Sequence, residues 1–216
     1  MPVVEPPRDC PLCPRLVDFR DLWREREPGW FNAPVPTFMP PGGAAGVRLL
    51  IVGLAPGLRG ANRTGRPFTG DYAGDLLYST LIRFGLARGQ FLARPDDGLE
   101  LVGTAIINAV RCVPPENKPT PAEITTCRQF LTPALTGLPN LRAVLALGAI
   151  AHQSTVRALG QRVAAMPFKH GGRYEAPPLT LFSSYHCSRY NTNTGVLTEA
   201  MFVNVFKDIW EFLEND

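Results

Sequence analysis

Four short, almost unbroken apolar runs constrain this chain more than anything else in it: VRLLIVG (47–53), LVGTAIINAV (101–110), AVLALG (143–148) and LTLFSSY (179–185). A strand with one wet face alternates polar and apolar residues, whereas a strand covered on both faces does not, and such runs belong to parallel sheets. Between them lie stretches with helical spacing, AGDLLYSTLIRFGL (73–86), PAEITTCRQFLTPAL (121–135) and AIAHQSTVRAL (149–159), and a last one, TEAMFVNVFKDIWEFL (198–213), closes the series. Strand and helix in alternation predict βαβ units with right-handed crossovers. The expected fold class is α/β, a three-layer α/β/α sandwich around a central, mostly parallel sheet whose strand order cannot be read. The segment MPFKHGGRYEAPPL (166–179) predicts a hairpin turning at His170, Gly171 and Gly172.

With 216 residues, 45% of them hydrophobic and 19% charged, the chain has the size of one globular domain, ordinary domains running roughly 100 to 200 residues. No stretch approaches the ~18 consecutive apolar residues of a membrane span, and the opening MPVVEPPRDCPLC lacks the apolar core of a secretory signal. A cytoplasmic protein with no membrane partner, and a monomer, is the expectation. The first 46 residues differ from the rest: a cysteine pair and a helix in CPLCPRLVDFRDLWRERE, then a loop thick with Pro and Gly. They offer too few apolar residues for a core of their own. Residues 1–46 are therefore expected to be an extension packed onto a single domain that spans 1–216.

Cysteines stand at 10, 13, 112, 127 and 187. In a reducing compartment thiols serve metals or chemistry more often than disulfides. Cys10 and Cys13 form a two-thiolate chelate, while Cys112 and Cys127 flank the proline-rich loop VPPENKPTPAEITT. Four thiolates could hold a zinc ion or an iron–sulfur cluster, or could simply be free and buried. One short and one wide pair, far apart in sequence, suit a cluster that ties distant segments together, since a zinc ribbon usually shows two short knuckles. Such a site would pin the extension to the 112–127 loop, closing large loops that otherwise cost entropy. Cys187 breaks the pairing and reads as a small filler in a loop.

The net charge of +3 says little by itself, although arginine supplies all but Lys118, Lys169 and Lys207 of the 22 basic residues. Arginine forks match phosphate oxygens; a compositional bias of the genome gives the same excess. The first apolar run opens into GLAPGLRGANRTGRPFTGDYAGD (53–75). Glycine lets backbone amides approach a ligand, and loops beyond the carboxyl ends of parallel strands are where α/β ligands bind. The loop is neither a P-loop nor GxGxxG. Arg59, Arg63 and Arg66 make it the densest basic cluster in the chain, and structureless loops beyond ~12 to 15 residues are usually functional or disordered. Asp75 falls near the start of the next helix, where the dipole favours a carboxylate. An ionised group there suits water activation or stabilisation of a cation better than proton donation. Of three histidines, His152 and His170 read as structural or surface groups; His186 ends the last run in SSYHCSRYNTNTG (183–195), at the same sheet edge as the 53–57 loop and Asn108.

In this order, GLAPG (53–57), GRPFTG (65–70), Asn108, HCSRYN (186–191) and the four cysteines make the chain resemble the uracil-DNA glycosylases of the iron–sulfur type, specifically the b type or family 5. The resemblance runs from Cys10 to about Gly195. It implies a monofunctional repair enzyme of broad specificity that flips a deaminated base, uracil and also hypoxanthine or xanthine, out of DNA and hydrolyses its N-glycosidic bond, leaving an abasic site. It also implies a 4Fe-4S cluster on Cys10, Cys13, Cys112 and Cys127. Phe68 would stack on the flipped base, Asn108 would hydrogen-bond its edge, His186 would donate to the departing base, and amides at Gly53 and Ala55 would line the pocket. Ser188, Arg189, Tyr190 and Asn191 would enter the minor groove, with Arg63 on phosphates. Leu54 and Ala55 are apolar where many relatives carry a polar water-activating residue; that departure matches the b type, in which an aspartate corresponding to Asp75 takes over. The chemistry agrees, because glycosidic hydrolysis passes through an oxocarbenium-like sugar: Asp75 would stabilise the sugar and hold water, and a neutral His186 would stabilise the leaving base. A non-catalytic iron–sulfur nucleic-acid-binding module and a nucleotide-binding electron carrier are the competing classes.

Overall fold

The computed structural model describes residues 3–215. Its helices are α1 (Pro14–Arg26), α2 (Ala61–Thr64), α3 (Ala73–Arg83), α4 (Pro121–Gly137), α5 (Ala149–Ala158), α6 (Arg189–Asn193) and α7 (Glu199–Glu214). The strands are β1 (Leu49–Gly53), β2 (Ala87–Arg88), β3 (Glu100–Leu101), β4 (Thr104–Asn108), β5 (Ala143–Leu147), β6 (Gly172–Ala176) and β7 (Leu179–Ser184). Five strands form one sheet in the order β4-β1-β5-β7-β6. All neighbours are parallel except β6, which runs against β7 at one edge.

The apolar runs are strands because both faces are covered. In β1, Leu49 and Ile51 pack with Leu77 and Leu81 of α3 and with Phe202 and Phe206 of α7. Leu50 and Val52 point the other way, to Leu131 and Leu135 of α4 and Val156 of α5. The result is the three-layer α/β/α sandwich. Local chemistry sets the helix starts: Thr120 and Glu123 form a reciprocal capping box with Pro121 at the first position of α4, and Thr198 caps α7. Among the described residues no helix is long and apolar enough to cross a membrane.

Residues before β1 lie against the sheet. Phe38 and Ile106 exchange backbone hydrogen bonds of 2.9 Å in both directions, which covers the outer edge of β4, an edge that would otherwise present unpaired groups. Arg15 of α1 pairs with Glu123 at 2.8 Å, and Leu16 packs with Val110 and Phe130.

Three local expectations change. The run 101–110 is divided, because Leu101 pairs antiparallel with Ala87 and the chain turns at Gly103, at φ +60°, before β4 begins. The hairpin turns at Pro177 and Pro178, not at His170–Gly172: Ala176 pairs with Leu179, and Gly172 lies inside β6 opposite Ser183. Proline cannot donate to a ladder, so the two prolines end the pairing where the two glycines do not. The 53–75 segment also contains the short helix α2.

Candidate active site

The carboxyl ends of β1, β4 and β7 open on one pocket of about 350 Å³, within the range of small-molecule sites. Leu54, Ala55, Phe68, Asn108 and His186 line it. Gly53, paired with Asn108 across the sheet, contributes by having no side chain. A Cβ there would lie 2.4 Å from Asn108 Oδ1 and 2.8 Å from Phe68 Cζ. Asn108 is 4% exposed and closes β4, so its side chain starts from a backbone held in the sheet.

Phe68 adopts a left-handed backbone, φ +52°, a genuine outlier for a bulky residue and a conformation kept only where the surroundings impose it. They do so here: Tyr78 Oη donates to Pro67 O at 2.6 Å, and the Phe68 carbonyl sits where a Cβ on Gly74 would be, 2.0 Å away. The ring then stacks on His186, with centroids 5.7 Å apart and planes 27° from parallel. His186 is held by its loop, since Asn191 Nδ2 donates to its carbonyl at 2.8 Å and the buried Cys187 thiol donates to Ala73 O at 3.4 Å. Burial drives the His186 pKa down to about 4, so the ring is neutral near pH 7 and can donate one hydrogen bond without carrying charge. His152 and His170 lie elsewhere: His152 Nε2 is 2.7 Å from Met166 O, and His170 accepts from the Tyr185 amide at 3.2 Å while stacking on the Tyr185 ring.

The carboxylate in the pocket is Asp71, not Asp75. Asp75 is exposed on the first turn of α3 and is not among the lining residues, whereas Asp71 is. Asp71 Oδ1 is buried without a hydrogen-bond partner, and Oδ2 nests against two glycines, 2.9 Å from an ideal Cβ on Gly57 and 2.3 Å from one on Gly60. Burial pushes its pKa up, the amides of Ala73 and Gly74 pull the other way, and the charge of Asp75 adds to the rise. Asn117 also reaches the pocket, from the loop between Cys112 and Cys127. It follows Glu116, and both residues take positive φ, +57° and +56°, a conformation that asparagine tolerates better than most. That pair of left-handed residues turns the cysteine loop inward. In sequence this loop is marked only by its prolines and the cysteines that flank it, and nothing singles out Asn117.

Of the residues expected on DNA, Ser188 and Arg189 line the pocket mouth. Ser188 accepts from the Asn191 amide at 3.4 Å and caps α6; Asn191 faces inward, holding His186, and Tyr190 is 74% exposed beside it. Arg63 is exposed and lines a separate groove with Trp30 and Arg94. Arg66 does not join Arg59 and Arg63 on the surface. It is 6% exposed, forms a two-pronged pair with Asp97 at 2.7 and 2.8 Å, and lies over the rings of Phe38, Tyr78 and Phe91. A fork fully engaged with a buried carboxylate is a structural pin.

Cys10, Cys13, Cys112 and Cys127 line one small cavity, together with Leu16, Phe130 and Arg111. Burial, reinforced by the neighbouring thiols, pushes Cys112 up to about 12. Cys127 rises to about 11 through burial and its thiol neighbours, with Arg111 pulling against them. Arg111 is wholly buried; its amide donates to Cys127 Sγ at 3.3 Å, its Nε donates to Val35 O at 2.8 Å, and Glu5 and Thr37 take Nη2, but Nη1 is buried without a partner. Among the described residues, no group of three or more His, Cys, Asp or Glu side chains is set around one metal-ion position.

The model of the Uracil DNA glycosylase superfamily matches residues 40–210. A type-5 uracil-DNA glycosylase of Thermus thermophilus is 45% identical over 92% of this chain and 91% of its own length. Type-5 uracil-DNA glycosylases of Mycobacterium leprae and Pyrobaculum aerophilum are 41% and 38% identical, each over 92% of this chain and over 89% and 87% of their own. A pocket with a stacked ring, a buried amide and a carboxylate at the carboxyl edge of the sheet thus comes with likeness along nearly the whole chain, and the chain belongs to the uracil-DNA glycosylase superfamily, on its type-5 branch.

Proposed function

We propose that this protein is a DNA repair glycosylase that removes uracil, and also hypoxanthine and xanthine, by hydrolysing the N-glycosidic bond of a flipped nucleotide. The observation that carries the reading is the convergence of Phe68, Asn108, His186 and Asp71 on one pocket. The base stacks on Phe68 and hydrogen-bonds Asn108. Asp71, as the carboxylate, stabilises the oxocarbenium-like sugar and accepts a proton from the water that attacks C1′. The electrons of the breaking C–N bond leave with the base, and neutral His186 donates a hydrogen bond to the base oxygen where charge gathers. Asn117, also in the lining, is the proposed second group to orient the water. The role expected of Asp75 thus falls to Asp71, with Asp75 acting on it through charge. Leu54 and Ala55 present no polar side chain that would select one base edge, which supports acceptance of purines. Flipping costs a few kcal/mol, least where the lesion is mispaired.

The four cysteines are the proposed seat of a 4Fe-4S cluster. They share one cavity, and two buried cations stand beside them: Arg111, with its unpartnered Nη1, and Arg20, which donates to Cys10 O at 3.0 Å. Positive charge of this kind offsets that of four thiolates. When bound, the cluster supplies a cross-link between the α1 segment and α4; no step of hydrolysis needs it. A monomeric, cytoplasmic enzyme acting on DNA is the corresponding cellular reading.

The test incubates the protein with end-labelled duplexes carrying uracil, hypoxanthine or xanthine, followed by alkaline cleavage of abasic sites and iron and sulfide analysis. Expected are cleavage on each lesion, its loss in Asp71→Asn, and bound iron. No cleavage on any lesion overturns the enzyme reading in favour of a binding module; full activity in Asp71→Asn overturns only the role of that residue.

A further inference from the structure

Two side chains meet over the mouth of the pocket from opposite walls. Tyr72 immediately follows Asp71 and precedes α3; Arg189 opens α6. Both line the pocket, and the Arg189 guanidinium carbon lies 5.4 Å from the centre of the Tyr72 ring. The ring is 41% exposed, so an aromatic surface is kept in water at this point and core packing does not explain it. Several surface arginines engage carboxylates, as Arg88 does Glu100 at 2.6 Å and Arg24 does Asp9 at 2.7 Å. Arg189 makes no ion pair among the described residues, and the ring is the contact it has. The difference matters chemically. A carboxylate would fix the guanidinium by cancelling its charge, whereas a π face fixes it and leaves the charge and its five N–H donors for an incoming anion.

We propose that Tyr72 is the positioning residue for Arg189, holding its fork over the pocket mouth so that it meets a phosphate flanking the flipped nucleotide. The inference rests on the glycosylase reading. Neither residue takes part in bond breaking: Arg189 grips the strand, and Tyr72 acts through Arg189.

The test is a double-mutant cycle on a duplex containing 2′-fluoro-deoxyuridine, which resists hydrolysis and so reports binding alone. Tyr72→Ala should weaken binding about two- to fivefold, the range an exposed cation–π contact supports. Arg189→Ala should weaken it more and reduce the slope of log affinity against log salt by about 0.9, the loss of one phosphate contact. The double variant should match Arg189→Ala alone, and Tyr72→Phe should bind like the parent. Unchanged melting temperatures and iron content would exclude a folding defect. Penalties that multiply in the double variant, or a Tyr72→Phe as weak as Tyr72→Ala, overturn the proposal while leaving the glycosylase reading intact. A parent protein that neither prefers the lesion duplex nor releases uracil from a cleavable one overturns both.

Discussion

Gly53→Ala adds a single methyl group where the sheet meets the pocket. Gly53 is extended in β1, outside the positive-φ residues, so alanine fits the backbone and the effect is steric. The new carbon falls 2.4 Å from Asn108 Oδ1 and 2.8 Å from Phe68 Cζ. Ordinary carbon–oxygen and carbon–carbon contacts begin near ~3.3 to 3.5 Å, so the amide and the ring must each withdraw by roughly 1 Å. Both side chains line the pocket, so the space they withdraw into is the base-binding space itself. Over-packing of this kind costs ~1–3 kcal/mol, a fall in melting temperature of roughly 2 to 12 °C for a domain of this length. A displacement of ~1 Å in a positioned site costs on the order of 10²-fold in rate. Gly42→Ala is the control, because a Cβ there meets nothing within 4 Å. Single-turnover release of uracil, measured well below both melting points, separates the two effects. A Gly53→Ala protein that releases uracil at the parent rate would refute the claim that the missing side chain shapes the pocket.

Asp71→Asn should lower single-turnover release by ~10²- to 10⁴-fold, while Asp75→Asn should keep most activity. Because burial and Asp75 both raise the Asp71 pKa, activity in the parent falls as pH drops through a value above the usual carboxylate range. Removing the charge of Asp75 should move that acid limb to lower pH, and the reverse ranking of the two variants would return the role to Asp75. His186 gives a stability signature: its folded pKa of about 4 lies below the ordinary histidine value of ~6.5. Between these pH values the unfolded chain binds more protons, so stability declines as pH falls through that window. In urea titrations at stepped pH, His186→Asn should flatten the decline, and an unchanged slope would contradict a neutral ring. Asp97→Ala strands the buried Arg66 cation, a loss of ~3–5 kcal/mol or roughly 6 to 20 °C in melting temperature. An unchanged melt would mean that Arg66 is free to serve the surface after all.

The layers were legible in sequence because burial on both faces leaves a mark: β1 and β5 are apolar throughout, and β4 and β7 keep an apolar centre with their buried polar residues, Thr104, Asn108, Thr180, Ser183 and Ser184, toward the strand ends. The hairpin was misplaced because Gly171 and Gly172 look like a turn, and only the pairing of Ala176 with Leu179 shows that the prolines hold it. Asp71 was not legible for a different reason. A helix-start rule favours Asp75, which does sit in the first turn of α3, but the helix buries Leu77, Tyr78 and Leu81 and turns Asp75 outward. Asp71 is selected by Gly57 and Gly60, a contact across a chain reversal. Arg66 likewise belongs to Asp97, 31 residues downstream. Local rules see neither partner.

Those contacts change what the glycines of the first loop are for. Read in sequence, GLAPGLRG suggests a backbone made bare so that amides can approach a ligand. In the structure the bare positions face the chain's own side chains: Gly53 makes room for Asn108 and Phe68, Gly57 and Gly60 for the Asp71 carboxylate, and Gly74 for the Phe68 carbonyl. The Asn108 amide and the Asp71 carboxylate are thereby set by close packing and not by a long, flexible side chain reaching in. Packing at this density transmits strain instead of absorbing it, which is why one methyl group at Gly53 is expected to disturb the stacking ring and the base-reading amide together.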